Sequence, residues 1–163
     1  MSKTLRRTAA LVATVALAVS LSGCTAGQWE YGAPPAAGVQ TDQGGLKLRN
    51  FVVLADGDGA GMIVGGIASR DEPAQVVGLG YAAELEDGSF GELNAVAFEA
   101  EIPRGKTIIL DGSETSFNTS ELIVGRLARV AVQFDGGQSV TLSVPVVSAE
   151  HPDFAEAWEQ ANA

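Results

Sequence analysis

The stretch RVAVQFDGGQSVTLSVPV, residues 129–146, decides the fold class of this chain. Apolar side chains occupy every second position before Asp135-Gly136-Gly137 and again after it. A period of two on both sides of a glycine-containing turn predicts an antiparallel hairpin with one buried face. That face would consist of Val130, Val132, Phe134, Val140, Leu142, Val144 and Val146.

Further strands are predicted upstream of this hairpin, where β-branched runs alternate with glycine, aspartate and proline turns. No stretch before Pro152 keeps a helical period over ten residues, so we expect an all-β domain over residues 46–148. Seven or eight short strands are typical of an immunoglobulin-like or cupredoxin-like β-sandwich. The predicted strands are residues 46–54, 61–69, 75–85, 95–102, 106–110, 121–127, 129–134 and 139–147.

The tail, residues 149–163, predicts a short acidic helix. Pro152 suits the first helical position and Asp153 gives an acidic first turn. Phe154 and Trp158 are four residues apart and would share one face of that helix. A helix of this length is marginal alone, so the aromatic pair either packs on the sandwich or is offered to a partner.

The N-terminus predicts a lipoprotein signal peptide over residues 1–23. Lys3, Arg6 and Arg7 precede an uncharged apolar run, which is too short for a transmembrane helix. The run ends in Leu21, Ser22 and Gly23, the small-residue step before the single cysteine, Cys24. We expect cleavage before Cys24 and its lipidation with two acyl chains, which suffice for stable membrane anchoring. An ordinary secretory signal is the alternative.

Residues 24–45 predict a flexible tether, because they are rich in glycine, alanine, proline, glutamine and threonine. Of the ten basic residues three precede Cys24, whereas all twenty acidic residues follow it, so the mature chain carries a net charge of −13. Such a charge disfavours nucleic acid as a partner. Lipidation of the single cysteine also excludes a disulfide within the mature chain.

Three groups of residues invite a chemical interpretation. Residues 56–61, DGDGAG, lack the later ligands of a calcium loop and run on into a strand, so they predict a turn. His151 is the single histidine and stands in the tail without a thiol, so nucleophilic catalysis is disfavoured. The carboxylates at 84, 86, 87, 92, 99 and 101 predict a solvated strand face. We therefore predict no catalytic residues, no metal ligands and no cofactor.

Two segments resemble the periplasmic copper chaperones of the PCu(A)C family: GMIVGGIASRDEP at 61–73 and IPRGKT at 102–107 followed by the closing hairpin. Within that superfamily the chain resembles the LpqE-like lipoproteins of actinobacteria, through GCTAGQ at 23–28 and LRN at 48–50. The resemblance implies a cupredoxin-like sandwich on the outer face of the cytoplasmic membrane. It also implies association with the cytochrome bcc-aa3 respiratory supercomplex.

The copper ligands of the resembled family are missing from this chain. That family holds Cu(I) with histidine and methionine, which are soft ligands suited to this ion. The corresponding region, TSFNTSE at 115–121, has neither residue, and Met62 is the single methionine after residue 23. The sequence therefore favours a non-catalytic interaction module tethered to the membrane and docked on a membrane protein complex. Copper delivery to the oxidase through atypical ligands is the alternative, and a carrier of a small solute is a third.

Overall fold

The structure, a computed structural model, describes residues 37–162. These residues form ten strands, one 3-10 turn and one helix. In chain order they are β1 (Val39–Gln43), β2 (Leu46–Ala55), β3 (Ala60–Ser69), β4 (Ala74–Ala83), β5 (Asn94–Val96), β6 (Ala100–Ile102), β7 (Lys106–Leu110), β8 (Ser116–Asn118), β9 (Leu127–Phe134), the 3-10 turn Asp135–Gly137, β10 (Ser139–Ser148) and α1 (Ala155–Ala161).

The predicted closing hairpin is confirmed as β9 and β10. The two strands pair antiparallel with Val140 opposite Val132 and Leu142 opposite Val130. All seven apolar side chains predicted for its inner face are buried. Gly136 and Gly137, both at positive φ, make the reversal between the strands.

β10 joins the two halves of the sandwich. Residues 139–145 pair with β9, whereas residues 146–148 pair in parallel with β2. The strand order is β5-β4-β9-β10-β2-β3-β7, with β1 on β2, β6 on β4 and β8 on β3. Because the sheet curls, Phe51 and Ile63 of one half share a buried cluster with Tyr81 and Val132 of the other. This confirms the predicted all-β sandwich with a short C-terminal helix.

The sheet begins before residue 46. β1 pairs antiparallel with β2, with Val39 opposite Phe51 and Gln43 opposite Leu46. The prediction of a flexible tether over residues 24–45 is therefore wrong for residues 39–43. The composition of β1 gives little indication of a strand, because Val39 is the single bulky apolar residue among residues 39–43 and β1 is largely exposed.

Two predicted strands differ from the structure. The predicted strand 95–102 is divided into β5 and β6, and residues 97–99 between them do not pair. β5 and β6 pair with β4 on either side of the irregularity that β4 has near Val77. The predicted strand 121–127 is wrong. Gly125 is at positive φ and the Arg126 amide donates to the Ile123 carbonyl, which closes a turn there.

A short strand that the sequence did not predict, β8, pairs antiparallel with the start of β3. The aromatic ring of Phe117, in β8, stacks on the ring of Tyr81 in the opposite half, with the ring centroids 4.0 Å apart. The predicted tail helix is confirmed but starts at Ala155, because the His151 carbonyl accepts the amides of Phe154 and Ala155 in a preceding turn. Phe154 and Trp158 pack on the sandwich.

Candidate docking site

The region 115–121, which the resemblance aligns with the closing copper motif of the family, lies next to Met62 in the structure. Ser116 is paired opposite Met62 across β8 and β3. The Thr115 hydroxyl is buried and donates to the Ile63 carbonyl over 2.6 Å, so it supports the strands. Met62 is fully buried in a second apolar cluster next to α1.

His151 lies at the surface, with its Nδ1 accepting the Asp153 amide over 3.3 Å. No group of three or more histidine, cysteine or acidic side chains within residues 37–162 could hold a metal ion. Cu(I) prefers thioether and imidazole ligands, and residues 115–121 beside Met62 contain no histidine and no methionine.

The aspartate-glycine stretch after β2 is a tight turn, as predicted. Asp56 Oδ1 accepts the amides of Asp58, Gly59 and Ala60 at 2.8 to 3.1 Å. These backbone hydrogen bonds hold the pKa of the Asp56 carboxyl below its usual value.

Two loops meet at one end of the sandwich, which we call the loop end. They are residues 84–93, between β4 and β5, and residues 119–126, between β8 and β9. The Glu84 amide donates to the Leu127 carbonyl, and the Leu127 amide donates to Glu84 Oε2. Asn94 Nδ2 donates to Glu121 Oε2 over 3.3 Å. These bonds tie the two loops into one surface.

The loop end carries most of the exposed large apolar side chains found in the described residues. Five of them come from the two loops and the first residue of β9, and each is between 41% and 51% exposed. We call these five the apolar docking surface: Leu85, Leu93, Ile123, Val124 and Leu127. Apolar side chains clustered on a surface mark sites of interaction, whereas scattered ones need no explanation.

The backbone beneath the apolar docking surface is fixed. The Gly125 amide donates to the Val146 carbonyl, and the Val146 amide donates to the Arg126 carbonyl. The Arg129 guanidinium lies 4.2 Å from the centre of the Phe90 ring. The backbone of Phe90 also forms an isolated antiparallel β-bridge with Glu84. The loops are thus joined to β10 and β4, and the surface is presented on a defined scaffold.

The two loops that carry the apolar docking surface are rich in acidic side chains. The first loop supplies four carboxylates and no basic residue, and the second loop supplies one carboxylate and Arg126. Hydrogen bonds from Ser89 hold the pKa of the Asp87 carboxyl below its usual value, so Asp87 stays charged. This acidic rim consists of Glu84, Glu86, Asp87, Glu92 and Glu121.

The sequence prediction missed this surface because it assigned residues 121–127 to a strand with alternating faces. A signal was present: Leu122, Ile123 and Val124 are three consecutive apolar residues directly before a glycine. Such a run cannot be buried on one face of a strand, and only Leu122 is buried. The predicted solvated strand face is confirmed only for Glu101, which is exposed on β6. Glu86, Asp87, Glu92 and Glu99 are exposed but lie outside the strands, and Glu84 is half-buried and accepts the Leu127 amide.

Two cavities lie at the opposite end of the sandwich, on either side of the turn after β3. They have volumes of about 360 and 420 Å³ and share Pro73, Ala74 and Asp135. Charged side chains line both of them, among them Asp71, Glu101 and Arg104. A third cavity, of about 320 Å³, lies along β4 and β5 and is lined mainly by apolar residues that include Val77, Leu93 and Phe98.

The predicted processing and lipidation residues Leu21, Ser22, Gly23 and Cys24 lie outside the described residues. So do Trp29 and Tyr31 of the predicted tether. Among the residues that are described, no helix is long and apolar enough to cross a membrane.

Comparisons with known proteins found likeness in structure alone. No family model matches the sequence, and no curated protein matches it. The chain is similar to the apo PCuAC domain from PmoF1, with a TM-score of 0.48 and 17% identity over 68% of this chain and 99% of that one. It is also similar to the apo PCuAC domain of PmoF2, with a TM-score of 0.48 and 12% identity over 69% of this chain and 98% of that one. For the copper-bound PmoF2 domain the values are 0.45 and 13%, over 68% and 98%.

Proposed function

We propose that this chain is a membrane-tethered, extracytoplasmic accessory protein that docks on a membrane protein complex and carries out no catalysis of its own. The observation that carries the proposal is the apolar docking surface at the loop end, with five exposed apolar side chains on a fixed backbone. The tether is the lipid on Cys24, as the sequence of residues 1–24 predicts. A lipid anchor confines the domain to the membrane surface, so a modest docking affinity is enough.

The acidic rim defines the chemistry of the partner. Five carboxylates on the two loops that carry the apolar docking surface complement a surface with apolar residues at its middle and lysine or arginine at its edge. Anionic lipid headgroups and nucleic acid carry the wrong charge for this surface. We therefore infer a protein partner rather than a lipid surface or a nucleic acid.

The resemblance to LpqE-like lipoproteins directs the choice of complex. It supports the cytochrome bcc-aa3 respiratory supercomplex as the partner, since that assembly offers protein surface at the outer face of the cytoplasmic membrane. Copper delivery is the weaker proposal, because Met62 is buried and His151 stands apart in the tail.

The test is a pull-down of the lipidated full chain from detergent-solubilised native membranes. We expect the wild type to recover oxidase and bcc subunits. The double variant Leu85→Glu with Ile123→Glu should recover at least about 10-fold less, because two charges cannot enter an apolar interface without loss of affinity. Raising the salt concentration should weaken recovery of the complex through the acidic rim.

The matched control is Ile109→Glu. Ile109 is the most exposed large apolar side chain of the described residues, at 69%, and lies on β7 away from both loops. This variant should recover the complex like the wild type. The proposal fails if the wild type recovers no membrane protein, or if the double variant, with an unchanged unfolding midpoint, recovers as much as the control.

A further inference from the structure

The half of the sheet formed by β2, β3 and β10 is apolar on both of its faces. On β2, Phe51 and Val53 belong to the main core, whereas the alternate residues Val52 and Leu54 belong to the second cluster. An antiparallel sheet of a small domain usually has one face for the core and a polar face for water. The second apolar face, here called the outer face, consists of Val52, Leu54, Met62, Val64 and Val147.

Helix α1 covers this outer face. Phe154, Trp158 and Ala161, spaced at four and three residues, pack against it. Val52, Leu54 and Met62 are at most 1% exposed. At the far end of the helix, Ala161 and the Met62 sulfur both lie close to Gly112. The outer face therefore already accepts an amphipathic helix that carries two aromatic residues four positions apart.

The cover is weakly held in its own right. α1 has seven residues, and none of them is buried. No side-chain hydrogen bond caps its N-terminus, whereas at its C-terminus Asn162 Nδ2 donates to the Trp158 carbonyl over 2.8 Å. Helices of this length are not stable alone, so α1 depends on the outer face for its structure. The outer strands do not depend on α1 in return, because β10 is already fixed to β9 and β2 up to Ser148.

α1 can leave without breaking the sheet. The last backbone bond of the sandwich runs from the Ala149 amide to the Ala55 carbonyl. Beyond it, the short turn of residues 150–154 connects to the helix, and its backbone amides donate only to Ser148 at the end of β10 and to His151 within the turn. Segments with few buried residues and exposed backbone bonds open at low cost compared with the global unfolding of a domain.

We propose that α1 is a displaceable cover, and that the outer face is a second binding surface, which takes an amphipathic helix of a partner with aromatic residues at positions i and i+4. A longer, capped helix from a partner makes the same contacts and keeps its own structure at less cost. This site shares no residue with the apolar docking surface, so it goes beyond the proposed function. Either one can fail without the other.

The first test supplies the helix in trans. The probe is a fluorescein-labelled peptide with the sequence of residues 150–163, and the protein is the full chain. The double variant Phe154→Ala with Trp158→Ala weakens the resident cover, so we expect it to bind the peptide at least about 10-fold more tightly than the wild type does. A control peptide with both aromatic residues replaced by alanine should bind neither protein.

The proposal is overturned if the double variant unfolds cooperatively, keeps its β-sheet circular dichroism, and binds the peptide no better than the wild type. Hydrogen exchange of the wild type gives an independent decision that needs no variant. The helical amides of α1 should exchange at least about 100-fold faster than those of β9 and β10, by local opening. Exchange of α1 only through global unfolding would make the helix a permanent part of the core and end the proposal.

Discussion

Among the described residues at positive φ, a conformation that most side chains disfavour, Asn50 and Gly112 lie at contacts between elements. Asn50 is the one non-glycine residue at positive φ within residues 37–162. It lies at the irregularity of β2, and its Oδ1 accepts the Gly38 amide over 3.1 Å, which holds the start of β1. Asparagine tolerates this region better than other residues, which gives the LRN step of residues 48–50 a physical role.

Gly112 is the second such residue. Its φ is 98°, and a Cβ there would overlap the Met62 sulfur. We expect Gly112→Ala to lower the free energy of unfolding by about 3 kcal/mol, from backbone strain together with the forced movement of a buried methionine. Urea denaturation measures the loss.

Gly88→Ala is the control for Gly112→Ala. Gly88 also has positive φ, but a Cβ there would meet no atom within 4 Å. Gly88→Ala should lower the free energy of unfolding by only about 1 kcal/mol, which is the effect of backbone strain alone. Equal losses in the two variants would contradict the tight contact between Gly112 and Met62.

Among the elements, β8 has only three residues, yet it contacts both halves of the sandwich. It pairs with β3 over three residues, and the Phe117 ring reaches across the sandwich to Tyr81. Phe117→Ala should cost about 2–4 kcal/mol, because it leaves a cavity and removes the ring stack. Thermal and urea unfolding would show it.

The comparison for Phe117→Ala is Ile109→Ala on β7, where the side chain is largely in water. We expect that change to stay within about 0.5 kcal/mol. A loss from Phe117→Ala no larger than this would show that β8 does not connect the two halves.

The sequence predicts the elements whose pattern and burial agree. β9, β10 and most of β2, β3 and β4 have apolar residues at the positions that the core needs, so their strands follow from alternation. β1 and β8 have no such pattern, since their stability comes from the strand beside them and, for β8, from the Thr115 hydroxyl and the Phe117 stack. The two apolar faces of β2 do not follow from periodicity either. Phe51, Val52, Val53 and Leu54 form one continuous apolar run, which has no alternation to separate one face from the other.

The same reasoning explains what could be predicted of the candidate site. The absence of a histidine and methionine set in residues 115–121 is visible in the sequence. The apolar docking surface is not, because it arises where two loops far apart in sequence are joined by bonds between Glu84 and Leu127. Contacts of this kind depend on the register of β4 with β9, which no local pattern specifies.

For the molecule as a whole, the proposed membrane attachment depends on one residue, Cys24. Cys24→Ala should release the full chain from membranes into the soluble fraction, because the acyl chains provide the anchoring and the acidic domain does not bind anionic lipid. The unfolding midpoint of the domain should be unchanged, since β1 begins at Val39, fifteen residues after Cys24.

Fractionation of cells that express Cys24→Ala or the wild type, followed by immunoblotting, measures the release. Ser22→Thr, next to the predicted cleavage site, serves as a conservative control that should stay with the membranes. A Cys24→Ala chain that still pellets with membranes would assign the attachment to protein contacts rather than to lipid.

The cover on the outer face comes from an element that follows β10, whereas the face itself is built mainly from β2 and β3. In a folding intermediate in which β2 and β3 have paired but α1 has not yet docked, Val52, Leu54 and Met62 are exposed to water. Transiently exposed apolar surface of this kind makes such intermediates prone to aggregation and is what chaperones recognise.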